Sequence, residues 1–178
     1  MIAGEEAVGA SRLNATLLRP TTTYGPGDDR NISRLRDYLV RRRVVPVIGS
    51  GEQLVQPVFV ADVAAAAVAA LSVSGAAGKA YEIAGAHPIP YSEMIDALAR
   101  AVGQTVLKVY VPVCLAVPLV RAYGWAARSP RVTVDQVRRA GEDRAFDISA
   151  AVRDLGFAPR SFDDGIREAI RTNERGGP

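Results

Sequence analysis

The chain has 178 residues, 48% hydrophobic, 23% charged and 6% aromatic, a composition that fits one ordinary folded domain and excludes disorder and collagen-like repeats. Its single cysteine, Cys114, and single histidine, His87, exclude an intramolecular disulfide, a structural zinc site and an iron–sulfur ligand set. Basic residues outnumber acidic ones 22 to 19, all but Lys79 and Lys108 being arginine; the densest run, Arg41-Arg42-Arg43, lacks interleaved aromatics, so no nucleic-acid partner is expected.

Glu5 to Arg12 reads as a short helical tail, and the apolar run Ala15-Thr16-Leu17-Leu18, ended by Arg19-Pro20, as a buried strand. Gly25, Pro26 and Gly27 force a loop, after which Asp28 or Asp29 caps a helix whose Ile32, Leu35, Leu39 and Val40 share one face. Val44 to Ile48 is a second strand, Gly49-Ser50-Gly51 a turn, and Val58-Phe59-Val60 a third strand. Asp62 is expected to cap an alanine-rich helix from Val63 to Leu71, closed by Gly75 and Gly78. Ala80 to Ala84 alternates as a strand; Ser92 is expected to cap a helix with Met94, Ile95, Leu98 and Val102 inward and Gly103 at its end. Thr105 to Val111 is a further strand, followed by a proline-interrupted apolar helix to about Arg128. Thr133 with Gln136, and Ser161 with Asp164, have capping-box spacing and begin two more helices. Such alternation of strand and helix argues for an α/β sheet rather than a bundle.

The residues near Met1, with Glu5 and Glu6 among them, lack the basic flank and apolar stretch of a secretory signal, so a cytoplasmic location is expected. The longest apolar run, Val109 to Val120, is broken by Pro112 and Pro118 and falls short of the ~20 residues of a spanning helix, so no membrane partner is expected. Two Gly-x-Gly pairs, Gly25-Pro26-Gly27 and Gly49-Ser50-Gly51, lack the third glycine of a dinucleotide-binding turn and read as tight turns. His87, in Gly85-Ala86-His87-Pro88, reads as a solvated loop residue, and Cys114, in an apolar run, as a buried inert thiol. Most carboxylates, Asp62 and Asp147 among them, stand at helix starts, where capping explains them. The residues alone therefore give an α/β domain with no visible catalytic set.

Six motifs nevertheless occur in a recognisable order: Leu18-Arg19-Pro20, Tyr24-Gly25-Pro26-Gly27-Asp28, Gly49-Ser50-Gly51, Pro57-Val58-Phe59-Val60-Ala61-Asp62-Val63-Ala64, Gly78-Lys79-Ala80-Tyr81 and Leu155-Gly156-Phe157-Ala158-Pro159. In this order they resemble the extended short-chain dehydrogenase/reductase superfamily, specifically the C-terminal half of NAD-dependent epimerase/dehydratase proteins. The resemblance implies the C-terminal part of a Rossmann-type parallel sheet plus a small α/β substrate-binding lobe, residues 1–178 forming one unit with the lobe mainly at 26–60 and 86–178. The family's Gly-x-x-Gly-x-x-Gly loop and Tyr-x-x-x-Lys pair do not occur in this sequence. Met1 falls at or just after the expected lysine, so the chain reads as a truncated, C-terminal portion that is inactive alone.

By the same resemblance, Pro20, Thr21 and Thr23 face the nicotinamide end of NAD or NADP, while Thr22, Tyr24, Gln56, Arg139 and Glu142 face the substrate. Relatives acting on nucleotide sugars carry an asparagine where Thr22 stands and an arginine where Val55 stands, both contacting the substrate diphosphate; neither is present. Arg139 resembles the family's second phosphate-binding arginine, and Glu142 stands near its ribose-contacting carboxylate. The implied partners are a small-molecule substrate, with a nucleotide sugar as candidate, a separate N-terminal half, and a second copy in a homodimer. A different reading makes the chain a non-catalytic ligand-binding or assembly module that keeps the lobe as a recognition surface.

Overall fold

The computed structural model describes residues 13–28, 32–126 and 141–175, together with Glu5, Val8, Ala10 and Val137. It is a mixed α/β structure with three parallel strand pairs and one antiparallel pair among the described residues. The chain divides into two compact units: Met1–Asn31, Gln56–His87 and Phe146–Pro178 form the first, Ile32–Val55 and Pro88–Ala145 the second.

In the first unit, β1 (Leu17–Pro20) pairs in parallel with β6 (Ala80–Ile83), in a register that sets Leu18 beside Tyr81 and Pro20 beside Ile83. Their beginnings are tied by Leu17 N–H donating to the Lys79 carbonyl at 2.9 Å and Gly78 N–H to the Ala15 carbonyl at 2.8 Å. A shorter parallel pair joins β2 (Thr23–Tyr24) to β5 (Val58–Phe59). Parallel strands need a crossover, and helix α2 (Val60–Ser72), with the 3₁₀ turn Ser74–Ala76, supplies the one leading to β6. Helix α5 (Ser149–Leu155) ends on Gly156, whose left-handed φ of 64° closes it as glycine readily does. The core consists of Val58, Ala66, Ala76, Tyr81, Ile83, Ala151, Leu155 and Phe157, so period-2 side chains of β6 meet the small face of α2 and the inner face of α5. Helix α6 (Phe162–Arg175) follows.

The second unit carries α1 (Ile32–Arg41), β3 (Val44–Ile48), β4 (Leu54–Val55), β7 (Ile89–Pro90), α3 (Tyr91–Ala101), β8 (Leu107–Val111) and α4 (Val113–Ala126). β3 runs parallel to β8, and β4 antiparallel to β7. Met94, Ile95, Ala97, Leu98 and Ala99 of α3 are buried, as are Ile32, Ser33 and Leu39 of α1.

Several expectations meet corrections. β1 runs to Pro20 and is half-buried to exposed rather than buried, because β6 covers one edge while Arg19 turns outward to Glu82 and Glu5 at 3.2 and 2.6 Å. Val60 opens α2 instead of ending β5, and Phe59 is the residue before the helix, with no side-chain cap. Asp62, at the third helical position, therefore caps nothing; its carboxylate is taken by Arg160. The same helix closes at Val73 in extended backbone, ahead of Gly75 and Gly78. Ser92 lies inside α3, whose N-cap is Pro90, and Ser92 N–H donates to the Gly51 carbonyl at 2.9 Å. Val40 is 56% exposed and Ser33 is buried in its stead, since helical spacing from Ile32 to Leu39 turns Val40 away. Cys114 is exposed rather than buried, standing on the outer side of α4. The two-residue strands β2, β4 and β7 and the helix α5 were not expected. The capping box at Ser161 is present, with Asp164 N–H donating to Ser161 Oγ at 3.2 Å. Thr133 and Gln136 lie outside the described residues, as does Asp29.

Candidate functional site

In parallel sheets, ligands settle beyond the carboxyl ends of the strands. At that end of β1 and β6 the chain leaves as Thr21–Thr23 and as Ala84–His87. The pairing continues past the strands through Thr21 N–H, which donates to the Ile83 carbonyl at 3.0 Å. Pro20 and Thr22 are exposed and Thr21 and Thr23 half-buried. Thr22 is held by its own carbonyl, which accepts from Val58 N–H at 3.0 Å. Among the described residues its hydroxyl makes no hydrogen bond to protein.

Gln56 fixes this end from within. It is 4% exposed, its Nε2 donates to the Gly85 carbonyl at 2.7 Å and its Oε1 accepts from Phe146 N–H at 2.8 Å. Its carbonyl accepts from Thr21 Oγ at 2.7 Å. Through its side-chain amide and its main-chain carbonyl, Gln56 thus ties the loop after β6, the approach to α5 and the loop after β1, and gives the buried Gly85 carbonyl its partner. Gly85 is obligatory there, because a Cβ would fall 2.3 Å from the Pro57 carbonyl oxygen.

Tyr24, expected at the substrate, is 1% exposed and belongs to the interior of the first unit. Its ring lies 5.5 Å from Phe59 and 5.1 Å from Phe162, tilted in each case as aromatic quadrupoles prefer. Burial pushes its hydroxyl well above the ordinary phenol range, with the Asp62 carboxylate adding to the rise. The Tyr24 hydroxyl faces the Phe162 carbonyl at 3.5 Å and abuts Gly165. Tyr24 and Gln56 therefore shape the Thr21–Thr23 segment from behind, while Pro20, Thr22 and Thr23 present its outer surface.

Glu142 is exposed, in the second unit. Its neighbours anchor it to β4: Asp143 Oδ1 accepts from Leu54 N–H at 2.8 Å, and Arg144 N–H donates to the Leu54 carbonyl at 2.8 Å. Val55 is the next residue of that strand. Arg139 lies outside the described residues. His87 is exposed in its loop, as expected. Sequence reasoning missed the ion pair of Asp62 with Arg160, for which no local signal exists. Among the described residues no cluster of histidine, cysteine or carboxylates could hold a metal, and no helix is long and apolar enough to cross a membrane.

Comparison with known proteins agrees with this architecture. The chain is 30% identical to the mitochondrial NADH dehydrogenase [ubiquinone] 1 alpha subcomplex subunit 9 of Arabidopsis thaliana, over 99% of this chain and 46% of that one. It is 28% identical to 2-alkyl-3-oxoalkanoate reductase of Stenotrophomonas maltophilia, over 90% of this chain and 52% of the relative. The crystal structure of UDP-glucuronic acid 4-epimerase from Bacillus cereus, in complex with UDP-glucuronic acid and NAD, superposes with a TM-score of 0.70 at 21% identity, covering 98% of this chain and 51% of that one. The chain spans about half the length of these relatives. Residues 3–84 match the model of the NAD dependent epimerase/dehydratase family. Together with the parallel pairing of β1 and β6 and the ordered motifs along the sequence, this match shows that residues 3–84 are similar to the NAD dependent epimerase/dehydratase family.

Proposed function

We propose that the chain is the C-terminal portion of an NAD(P)-dependent epimerase, dehydratase or reductase, forming the substrate-binding lobe and the nicotinamide-side wall. The observation carrying this reading is the Pro20–Thr23 segment at the carboxyl end of β1, fastened beside β6 by Thr21 and Gln56. Pro20 offers an apolar ring and Thr22 and Thr23 offer hydroxyl and main-chain groups, which suit the face and carboxamide of a nicotinamide. Bound there, NAD or NADP would supply hydride transfer. In this proposal Pro20, Thr21 and Thr23 border the cofactor, Thr22, Glu142 and Arg139 border the substrate, and Tyr24 and Gln56 hold the segment in place.

Support for the cofactor class comes from the epimerase of similar fold, which holds NAD together with a nucleotide sugar. A nucleotide sugar is the corresponding substrate candidate for this chain. Val55 and Thr22 stand where nucleotide-sugar relatives have an arginine and an asparagine, and this favours a less charged substrate of the reductase kind. The glycine loop that would cradle the pyrophosphate and the tyrosine and lysine that would move the proton are not in the sequence.

The test is titration of NADH and NADPH, followed by fluorescence, into the chain alone and into the chain mixed with a family N-terminal half bearing those motifs. Negligible binding alone and binding restored by the soluble mixture are expected. Tight binding by the chain alone, or a folded mixture that binds neither nucleotide, would overturn the proposal.

A further inference from the structure

Parallel strands are normally covered on both faces. In the second unit β3 and β8 are not. Their register pairs Val44 with Leu107, Pro46 with Val109 and Ile48 with Val111, alternating with Val45–Lys108 and Val47–Tyr110. Val45 and Val47 are buried, and Lys108 Nζ bonds Asp96 of α3 at 2.6 Å, so α3 occupies that side. The opposite side holds six apolar residues and no charge. Val44 is 49% exposed, Leu107 65% and Val109 44%, with Pro46 exposed too. Tyr38 extends the patch, its hydroxyl donating to the Val44 carbonyl at 3.0 Å while its ring remains 40% exposed.

At one end of this face stand Arg41, Arg42 and Arg43, all exposed. The Arg43 carbonyl accepts from Leu107 N–H at 2.7 Å, so the arginine run ends where the face begins, and Leu107 is the most exposed of the face's large hydrophobic residues. Among the described residues none of the three makes an ion pair. An apolar face bordered by cations and an interfacial tyrosine has the chemistry of a surface that rests on anionic lipid, the hydrocarbon meeting the valines and leucine and the phosphates the guanidinium groups. A second copy of the chain would cover the apolar face but would bring no anion on that face to the arginines.

We propose that the β3–β8 face is a peripheral docking surface for an anionic lipid bilayer. This concerns attachment to a surface and not a span, and it reverses the expectation that no membrane partner exists.

The experiment is sedimentation of the 178-residue chain with vesicles of phosphatidylglycerol and phosphatidylcholine, against vesicles of phosphatidylcholine alone. Binding to the anionic vesicles only, weakened by salt, is expected. Replacing Arg41, Arg42 and Arg43 together by glutamine should lower partitioning on the order of a hundredfold, since each cation near such a surface contributes about a factor of five. L107D and V109D should abolish it while leaving the circular dichroism unchanged, both side chains being solvent-facing. Equal binding to neutral vesicles, no binding to anionic ones, or unaltered binding by the arginine variant would overturn the proposal. So would a concentration-dependent dimer that L107D disperses without any vesicle binding, which would assign the face to a second copy.

Discussion

Arg160 closes on Asp62 with its whole polar edge: Nη2 lies 2.8 Å from Oδ1, Nε 3.0 and 3.1 Å from the two carboxylate oxygens, and its own backbone N–H donates to Oδ2 at 3.0 Å. The guanidinium also stacks 4.3 Å above the Phe59 ring. The Asp62 side chain is 9% exposed and that of Arg160 29%, so the pair is largely desolvated. Asp62 thereby joins the first turn of α2 to the segment entering α6.

Removing Arg160 strands the Asp62 carboxylate in a poor solvent, and removing Asp62 leaves the guanidinium with Glu168 as its remaining carboxylate. D62A is expected to destabilise the chain by about 3 kcal/mol, the lower end for breaking a buried pair. R160M should cost at least as much, because it leaves the more deeply buried Asp62 carboxylate without a cation while its stem still packs on Phe59. Urea unfolding of both single variants and of the double variant checks this; the double should be more stable than the sum of the singles implies, as a coupled pair requires.

Gly165 and Tyr24 give a second coupled pair. A Cβ on Gly165 would come within 2.9 Å of Tyr24 Cζ and closer still to its hydroxyl, so G165A is expected to lower stability by about 2 kcal/mol through overpacking. Y24F removes the obstructing oxygen at a cost of about 0.5 kcal/mol for a long hydrogen bond. Thermal melts should then show the double variant Y24F/G165A recovering part of what G165A loses.

The same tyrosine makes a pH prediction. Its folded pKa is raised by burial and by the Asp62 carboxylate, whereas the unfolded chain releases that proton near pH 10. Above that pH the folded state holds more protons than the unfolded one, so stability falls with rising pH. The contribution is fully present below pH 10 and is lost on the alkaline side. Measured by urea unfolding from neutral to alkaline pH, Y24F should decline less steeply than the parent chain.

Gln56 is expected to tolerate little. Q56L leaves the Gly85 carbonyl and the Phe146 N–H without their partners, at about 1–3 kcal/mol for the buried Gly85 carbonyl and less for the partly exposed Phe146 N–H. Q56E keeps the acceptor for Phe146 but sets a carboxylate against the Gly85 carbonyl. Its folded pKa is expected to rise, so the variant should gain stability as pH falls and lose it as pH rises through that value. Hydrogen exchange at the Phe146 amide reads the local effect: faster in Q56L, near the parent rate in Q56E at low pH.

What the sequence determined by itself is whatever local chemistry enforces. Alternation of Tyr81 and Ile83 made β6 readable, helical spacing gave Met94, Ile95 and Leu98 as the inner face of α3, and Ser161 with Asp164 marked the start of α6. The ordered motifs carried the family. Elements held by distant partners were not readable. β2, β4 and β7 have two residues each, too few to show a period, and exist because another strand lies beside them. Asp62 looks like a cap in sequence, and only folding brings Arg160, 98 positions away, onto its carboxylate. Tyr24 and Gln56 read as ligand residues in a motif; the tertiary structure surrounds one with Phe59, Phe162 and Gly165 and bonds the other to two main-chain groups and the Thr21 hydroxyl. Cys114 sits in an apolar run that suggests burial, yet it is exposed. Composition sets how much a chain can bury, but which side of a strand or helix is covered depends on pairings between residues far apart along it, and those are fixed only when the chain folds.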